Sequence, residues 1–88
     1  MRQTTDRLLR TILSDVLGLK PGQAANFTAE TGLFGHLPEL DSMAVAGLLT
    51  EMEDRLEIVI EEDEIDGELL ESYGSLLAFA QAKRAEDD

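Results

Sequence analysis

The chain has 88 residues, enough for one domain that buries only about 60% of its unfolded surface, which leaves a thin core and little room for a deep enzyme pocket. It has no cysteine, which excludes a disulfide framework, a thiolate nucleophile and a Cys-based metal site, so any thiol chemistry would come from a bound group. A formal net charge of −12 argues against nucleic acid and anionic membrane as partners and favours fast, salt-sensitive encounters with basic protein surfaces.

Met1-Arg2 is followed by polar residues, and no apolar run approaches the ~20 residues of a membrane span or the core of a signal peptide. The expectation is a soluble cytoplasmic protein without membrane insertion. From Thr4 the apolar residues Leu8, Leu9, Ile12, Leu13, Val16, Leu17 and Leu19 mark one face of a helix over about 4–18. Thr4 or Thr5 can cap its start, and Gly18 and Pro21 suit its end.

A long loop over 19–41 follows, with Gly32, Gly35 and Pro38 breaking any period. It still carries the large apolar residues Phe27, Leu33, Phe34 and Leu37. Loops of this length are usually functional or packed through their own side chains, and Leu33 and Phe34 are the expected anchors. The only histidine, His36, reads as an exposed loop residue. A hydrolytic pairing with Ser42 across so short a loop, in a chain without a pocket, is disfavoured.

At Leu40-Asp41-Ser42-Met43 the pattern turns helical. Val45, Leu48, Leu49, Met52 and Leu56 form one face of a helix over 42–56, with Glu51, Glu53, Asp54, Arg55 and Glu57 mostly off it. The acidity begins here, since Glu39–Glu71 holds 13 of the 19 acidic residues and one basic residue. Asp41-Ser42 sits where the first backbone N–H groups lack partners and the positive end of the helix dipole faces outward. Ser42 is therefore either a cap for its own helix or a natural place for a phosphate. Gly47, inside the helix, costs roughly 1 kcal/mol of propensity relative to alanine.

Ile58-Val59-Ile60 has no second strand to pair with and reads as an extended connector docked on the helices. Glu62-Asp63-Glu64-Ile65-Asp66-Gly67 resembles a calcium loop, but the glutamate required six residues beyond the glycine is Tyr73, so a solvated acidic loop is expected and no metal site. A short helix over 65–71 and a last helix over 75–85 complete the chain, with Ala85–Asp88 fraying. No internal repeat or second domain is visible. The expected fold is all-α, a small antiparallel four-helix bundle with three longer helices and one short third helix.

The order of these features resembles the acyl carrier proteins. The resemblance rests on the loop Leu33-Phe34-Gly35-His36-Leu37-Pro38-Glu39-Leu40 running into Asp41-Ser42-Met43, the acidic second helix, the Ile58-Val59-Ile60 connector, and Tyr73-Gly74-Ser75-Leu76 entering the last helix. It implies that Ser42 accepts 4'-phosphopantetheine from coenzyme A through a separate Mg²⁺-dependent phosphopantetheinyl transferase, with Asp41 assisting recognition. It further implies a non-enzymatic, monomeric carrier of acyl groups held as thioesters. Its partners would be an acyl-activating ligase and acyl transferase or synthase enzymes, whose basic patches meet Met43, Glu53, Asp54 and Glu57. Met43 stands where the family usually has leucine, and Ala44 and Gly47 where it often has acids, which favours a dedicated partner set in a specialised pathway. An unmodified acidic helical adaptor and an aminoacyl or peptidyl carrier are the alternatives.

Overall fold

The computed structural model describes residues 4–84. Among them the chain forms α1 (Thr5–Leu17), α2 (Ser42–Leu56) and α3 (Tyr73–Lys83), with single 3₁₀ turns at Ala24–Asn26 and Glu62–Glu64 and no strand. Each α-helix starts at a short polar side chain that accepts a hydrogen bond from an otherwise unpartnered N–H. Thr4 Oγ1 accepts from Arg7 at 3.2 Å, Asp41 Oδ1 from Ala44 at 2.8 Å and Ser72 Oγ from Ser75 at 3.1 Å. Gly18, in the left-handed region at φ 62°, ends α1. None of these helices is long and apolar enough to cross a membrane.

Two expectations at the C-terminal end change. The last helix begins at Tyr73 rather than Ser75, because Ser72 is the cap and Ser75 supplies the N–H it accepts. Segment 65–71 forms turns, not a helix. Asp66 Oδ1 accepts from the N–H groups of Glu68 and Leu69, and the Leu70 and Glu71 carbonyls accept from Phe34 and Leu33 across the fold. The Asp66 carboxylate and the three-residue bonds from Leu69 N–H to Asp66 O and from Glu71 N–H to Glu68 O close turns in place of an i→i+4 ladder. The expected reach of the last helix to 85 and the fraying of Ala85–Asp88 lie outside the described residues.

The core is built by α1 lying chiefly against α2 and also against α3. Leu9, Ile12 and Leu13 of α1, Leu48 and Met52 of α2, and Leu76 and Ala80 of α3 are fully buried. Each of the large aliphatic side chains contributes about 1.5–3 kcal/mol by leaving water. The connector after α2 follows the same logic: Ile58 is buried and Ile60 half-buried, while Val59 points outward.

The loop over 19–41 is held at both halves, and this fixes what precedes α2. Arg10 Nη1 donates to the carbonyls of Ala24 and Phe27 at 2.6 and 3.1 Å, while its Nε donates to Asp6 Oδ1 at 3.0 Å. The guanidinium also lies 4.6 Å from the centroid of the buried Tyr73 ring, and the Tyr73 hydroxyl donates to Asp6 Oδ1 at 2.6 Å. Burial, and then the Asp6 carboxylate, push the phenol pKa well above its ordinary value, so it stays a protonated donor.

The second half of the loop is zipped to residues 70–74. Tyr73 N–H donates to Thr31 O at 2.8 Å, Gly74 to Ala29 O at 3.0 Å, Phe34 to Leu70 O at 2.9 Å and Leu33 to Glu71 O at 3.2 Å. Only glycine permits this approach at position 74, where a Cβ would come within 2.8 Å of the Ala29 carbonyl oxygen. Leu33 is fully buried as an anchor, but Phe34, expected to do the same, is half-exposed. Its backbone is tied to Leu70, and its ring is left on the surface.

Candidate functional site

Asp41 and Ser42 divide the two roles that the sequence left open. Asp41 has extended backbone angles and is the N-cap of α2, its carboxylate taken by Ala44 N–H. Ser42 is the first residue of the helix, solvent-exposed, and its hydroxyl makes no hydrogen bond among the described residues. The first backbone bond of α2 runs from Val45 N–H to Asp41 O at 2.9 Å. The N–H groups of Ser42 and Met43 thus lie ahead of the helical ladder, at its positive end. A capping oxygen that is not the serine's leaves Ser42 Oγ available for substitution at little cost to the helix.

An open cleft of about 500 Å³ adjoins this hydroxyl, lined on the loop side by Phe34, His36, Leu37, Pro38 and Leu40 and on the helix side by Asp41 and Ser42. His36 shares the cleft with Ser42, but no hydrogen bond joins them, so a nucleophile–base pair is not assembled. His36 is instead placed by the loop: Gly35 takes φ 87°, and the imidazole lies so close over Gly32 that a Cβ there would collide with the ring. Among the described residues no group of three or more His, Cys, Asp or Glu side chains is arranged to hold a metal ion. In the acidic segment, Glu64 is paired with Lys83 Nζ at 2.6 Å, which lowers its pKa.

The expected partner-facing residues are not equivalent. Met43 is 85% exposed, one residue beyond Ser42. Asp54 is exposed and its carboxylate is unpaired among the described residues. Glu53 is half-buried and turned inward, with Oε2 accepting the Ile60 N–H at 2.8 Å. It secures the connector and is not a free docking charge. Glu57 is exposed and caps the C-terminus in the left-handed region at φ 56°, where a non-glycine residue is strained. Between Met43 and Asp54 the exposed positions of α2 include Ala46, Gly47 and Thr50, a neutral stretch. A Cβ on Gly47 would meet only Val16 Cγ1, at 3.9 Å, so packing does not require glycine there.

The family model for the phosphopantetheine attachment site matches residues 7–82. The chain belongs to the acyl carrier protein family. The solution structure of a holo acyl carrier protein from Nitrosomonas europaea aligns with this carrier at a TM-score of 0.83 and 36% identity, covering 97% of this chain and 100% of that one. A search of curated proteins finds no significant match. This carrier is accordingly not an enzyme, and its cofactor is covalently attached 4'-phosphopantetheine. The residues at the start of α2 fit such a group, because a serine oxygen that is exposed and, among the described residues, without a hydrogen-bond partner lies at the positive end of a helix whose cap is supplied by its neighbour.

Sequence reasoning missed the groups that hold this site in place. Tyr73, Asp6 and Arg10 act together over a separation of more than sixty residues between Asp6 and Tyr73, and no local pattern marks such a contact. The Ser72 cap carried a signal in the Ser-x-x-Ser spacing, and Gly74 beside a buried tyrosine is the trace of the close approach to Ala29.

Proposed function

We propose that Ser42 is the attachment residue for 4'-phosphopantetheine and that the protein is a stand-alone acyl carrier serving a specialised biosynthetic pathway in the cytoplasm, as a monomer. The observation that carries this reading is the Ser42 hydroxyl itself, exposed and without a hydrogen bond among the described residues, because Asp41 does the capping. When bound, the group supplies a terminal thiol that holds an acyl chain as a thioester at the end of a flexible tether. Ser42 Oγ forms the new P–O bond to the pantetheine-side phosphate of coenzyme A as the nucleotide half departs, and its proton leaves to a base supplied by the transferase. The backbone N–H groups ahead of the α2 ladder then face the phosphodiester, whose charge the helix terminus favours by about 0.3–1 kcal/mol.

Asp41 acts mainly by holding that helix start in place, and its exposed carboxylate is available to the Mg²⁺-dependent transferase. Met43, Asp54 and Glu57 form the partner surface, an apolar contact beside Ser42 and two acids at the far end of α2. Such a surface suits a transferase, an acyl-activating ligase and acyl transferase or synthase enzymes with basic patches near an apolar recess. The neutral stretch at Ala46, Gly47 and Thr50 supports a dedicated partner set over a general fatty-acid synthase.

The deciding experiment is intact-mass measurement after incubation with coenzyme A and a broad-specificity phosphopantetheinyl transferase. Wild type gains one phosphopantetheine and Ser42→Ala gains none. An unchanged wild-type mass with several transferases would favour the unmodified adaptor, and loading by an amino-acid-activating ligase in place of an acyl-activating one would favour the aminoacyl carrier.

A further inference from the structure

The cleft beside Ser42 has walls that the fold itself does not use. Phe34 is half-exposed although its backbone is fixed, with its N–H on Leu70 O at 2.9 Å. Leu37 and Pro38 continue the apolar wall, and His36 adds a polar ring whose position is set by its packing on Gly32. The loop carrying them is preformed. His36 and Leu37 both donate to Leu33 O, at 3.0 and 2.9 Å, Leu40 donates to Leu37 O at 3.0 Å, and the side chains of Leu33 and Leu40 at its ends are buried. A largely apolar cleft with a placed polar group is the usual make-up of a small-ligand site, and walls held by hydrogen bonds and buried anchors lower the ordering cost of binding.

Ser42 lines the same recess. We propose that this cleft, between residues 34–40 and the start of α2, is a docking groove for the pantetheine portion of the prosthetic group. The inference rests on the reading that Ser42 is the attachment residue. The ligand chemistry matches the walls from the tether outward: the phosphodiester meets the His36 imidazole as hydrogen-bond donor, and the branched dimethyl carbon lies on Phe34, Leu37 and Pro38. Tethering gives the group an effective concentration on the order of millimolar at the cleft, so a weak site is enough to bias its resting position. The loop preceding Ser42 thereby becomes a control on how readily the thiol end is presented to a partner.

The test is NMR on isotope-labelled protein before and after loading with coenzyme A and a transferase, with loading checked by intact mass. The expected result is cross-peaks between the pantetheine methyl protons and the Phe34 ring, with Leu37 and Pro38 shifted on loading. Phe34→Ser and His36→Gln, each examined after loading, should lose or weaken those cross-peaks, and His36→Gln should also move the ³¹P resonance of the phosphodiester. Fully loaded wild type whose methyl protons give no cross-peaks to the cleft, or give them only to residues elsewhere, overturns the docking groove and leaves the attachment reading standing. Failure of the wild-type mass to change overturns both.

Discussion

Truncation of Glu53 to alanine, compared with truncation of its neighbour Asp54, separates a charge that builds the fold from one that faces solvent. Glu53 Oε2 accepts the Ile60 N–H at 2.8 Å from a half-buried position, whereas Asp54 is exposed. A hydrogen bond to a charged acceptor contributes about 1.5–3 kcal/mol, and an N–H left without an acceptor in the interior costs about 1–3 kcal/mol. Ile60 is itself half-buried, so water reaches the freed N–H in part, and the expected loss for Glu53→Ala is about 1–2 kcal/mol. Asp54→Ala should stay within about 0.5 kcal/mol of wild type.

In urea unfolding with a slope of roughly 1 kcal/mol per molar, the midpoint of Glu53→Ala falls by about 1–2 M and that of Asp54→Ala by less than about 0.5 M. Equal midpoints, or a larger loss at Asp54, would refute the assignment. The distinction bears on function, because charge reversal at Glu53 would mix a folding defect into any docking assay. Asp54→Lys is the clean probe. It should slow phosphopantetheine transfer through association rate, with the difference from wild type shrinking as salt rises.

Capping is tested by two further truncations: Asp41→Ala should cost about 0.5–2 kcal/mol in thermal or urea unfolding, while Ser42→Ala stays within about 0.5 kcal/mol. Equal losses would return the cap to Ser42. Gly47→Ala has room for its methyl group, with Val16 Cγ1 3.9 Å away, and should stabilise α2 by roughly 0.8–1 kcal/mol, raising Tm by about 4–8 °C; a fall in Tm would reveal a contact that the helix face does not show. The Glu64–Lys83 pair makes stability pH-dependent. Lys83, and then the Glu61 N–H, lower the folded pKa of Glu64 below its ordinary 4.5, so this contribution is complete above that value and is lost as pH falls through the lowered one. Glu64→Gln should therefore unfold at a lower temperature than wild type near neutral pH, and the two melting curves should converge in acid. A gap that stays constant down through that range would refute the coupling.

The helices were legible where a single physical signal decided them. The i, i+4 spacing of Leu9, Ile12, Leu13 and Leu17 could only be one face of α1. Asp41-Ser42 before the Val45–Leu56 stripe marked the start of α2, because short acceptors and helix N-termini go together. Segment 65–71 was not legible for the converse reason. Leu69 and Leu70 fit a short helix, but the segment closes three-residue turns and its Leu70 and Glu71 carbonyls are tied to Phe34 and Leu33, which lie 36 and 38 positions away in sequence and leave no local trace. The inward turn of Glu53 was hidden in the same way, since nothing in an acidic run says which carboxylate will find a backbone N–H.

That long-range pairing also bears on where selectivity lies. Residues 70–74 hold the loop before Ser42, so the apolar ring of Phe34 is presented instead of buried, and the exposed turns of α2 that follow Met43 are left small and neutral. A partner approaching Ser42 therefore meets apolar shape together with the exposed acids Glu39 and Asp41: Met43 lies on one side, Phe34 and Pro38 on the other, and the further acids Asp54 and Glu57 stand at the far end of the helix. Under the proposed carrier function, the acids at the far end of α2 steer the encounter, and the apolar residues around the serine add the shape for a close fit.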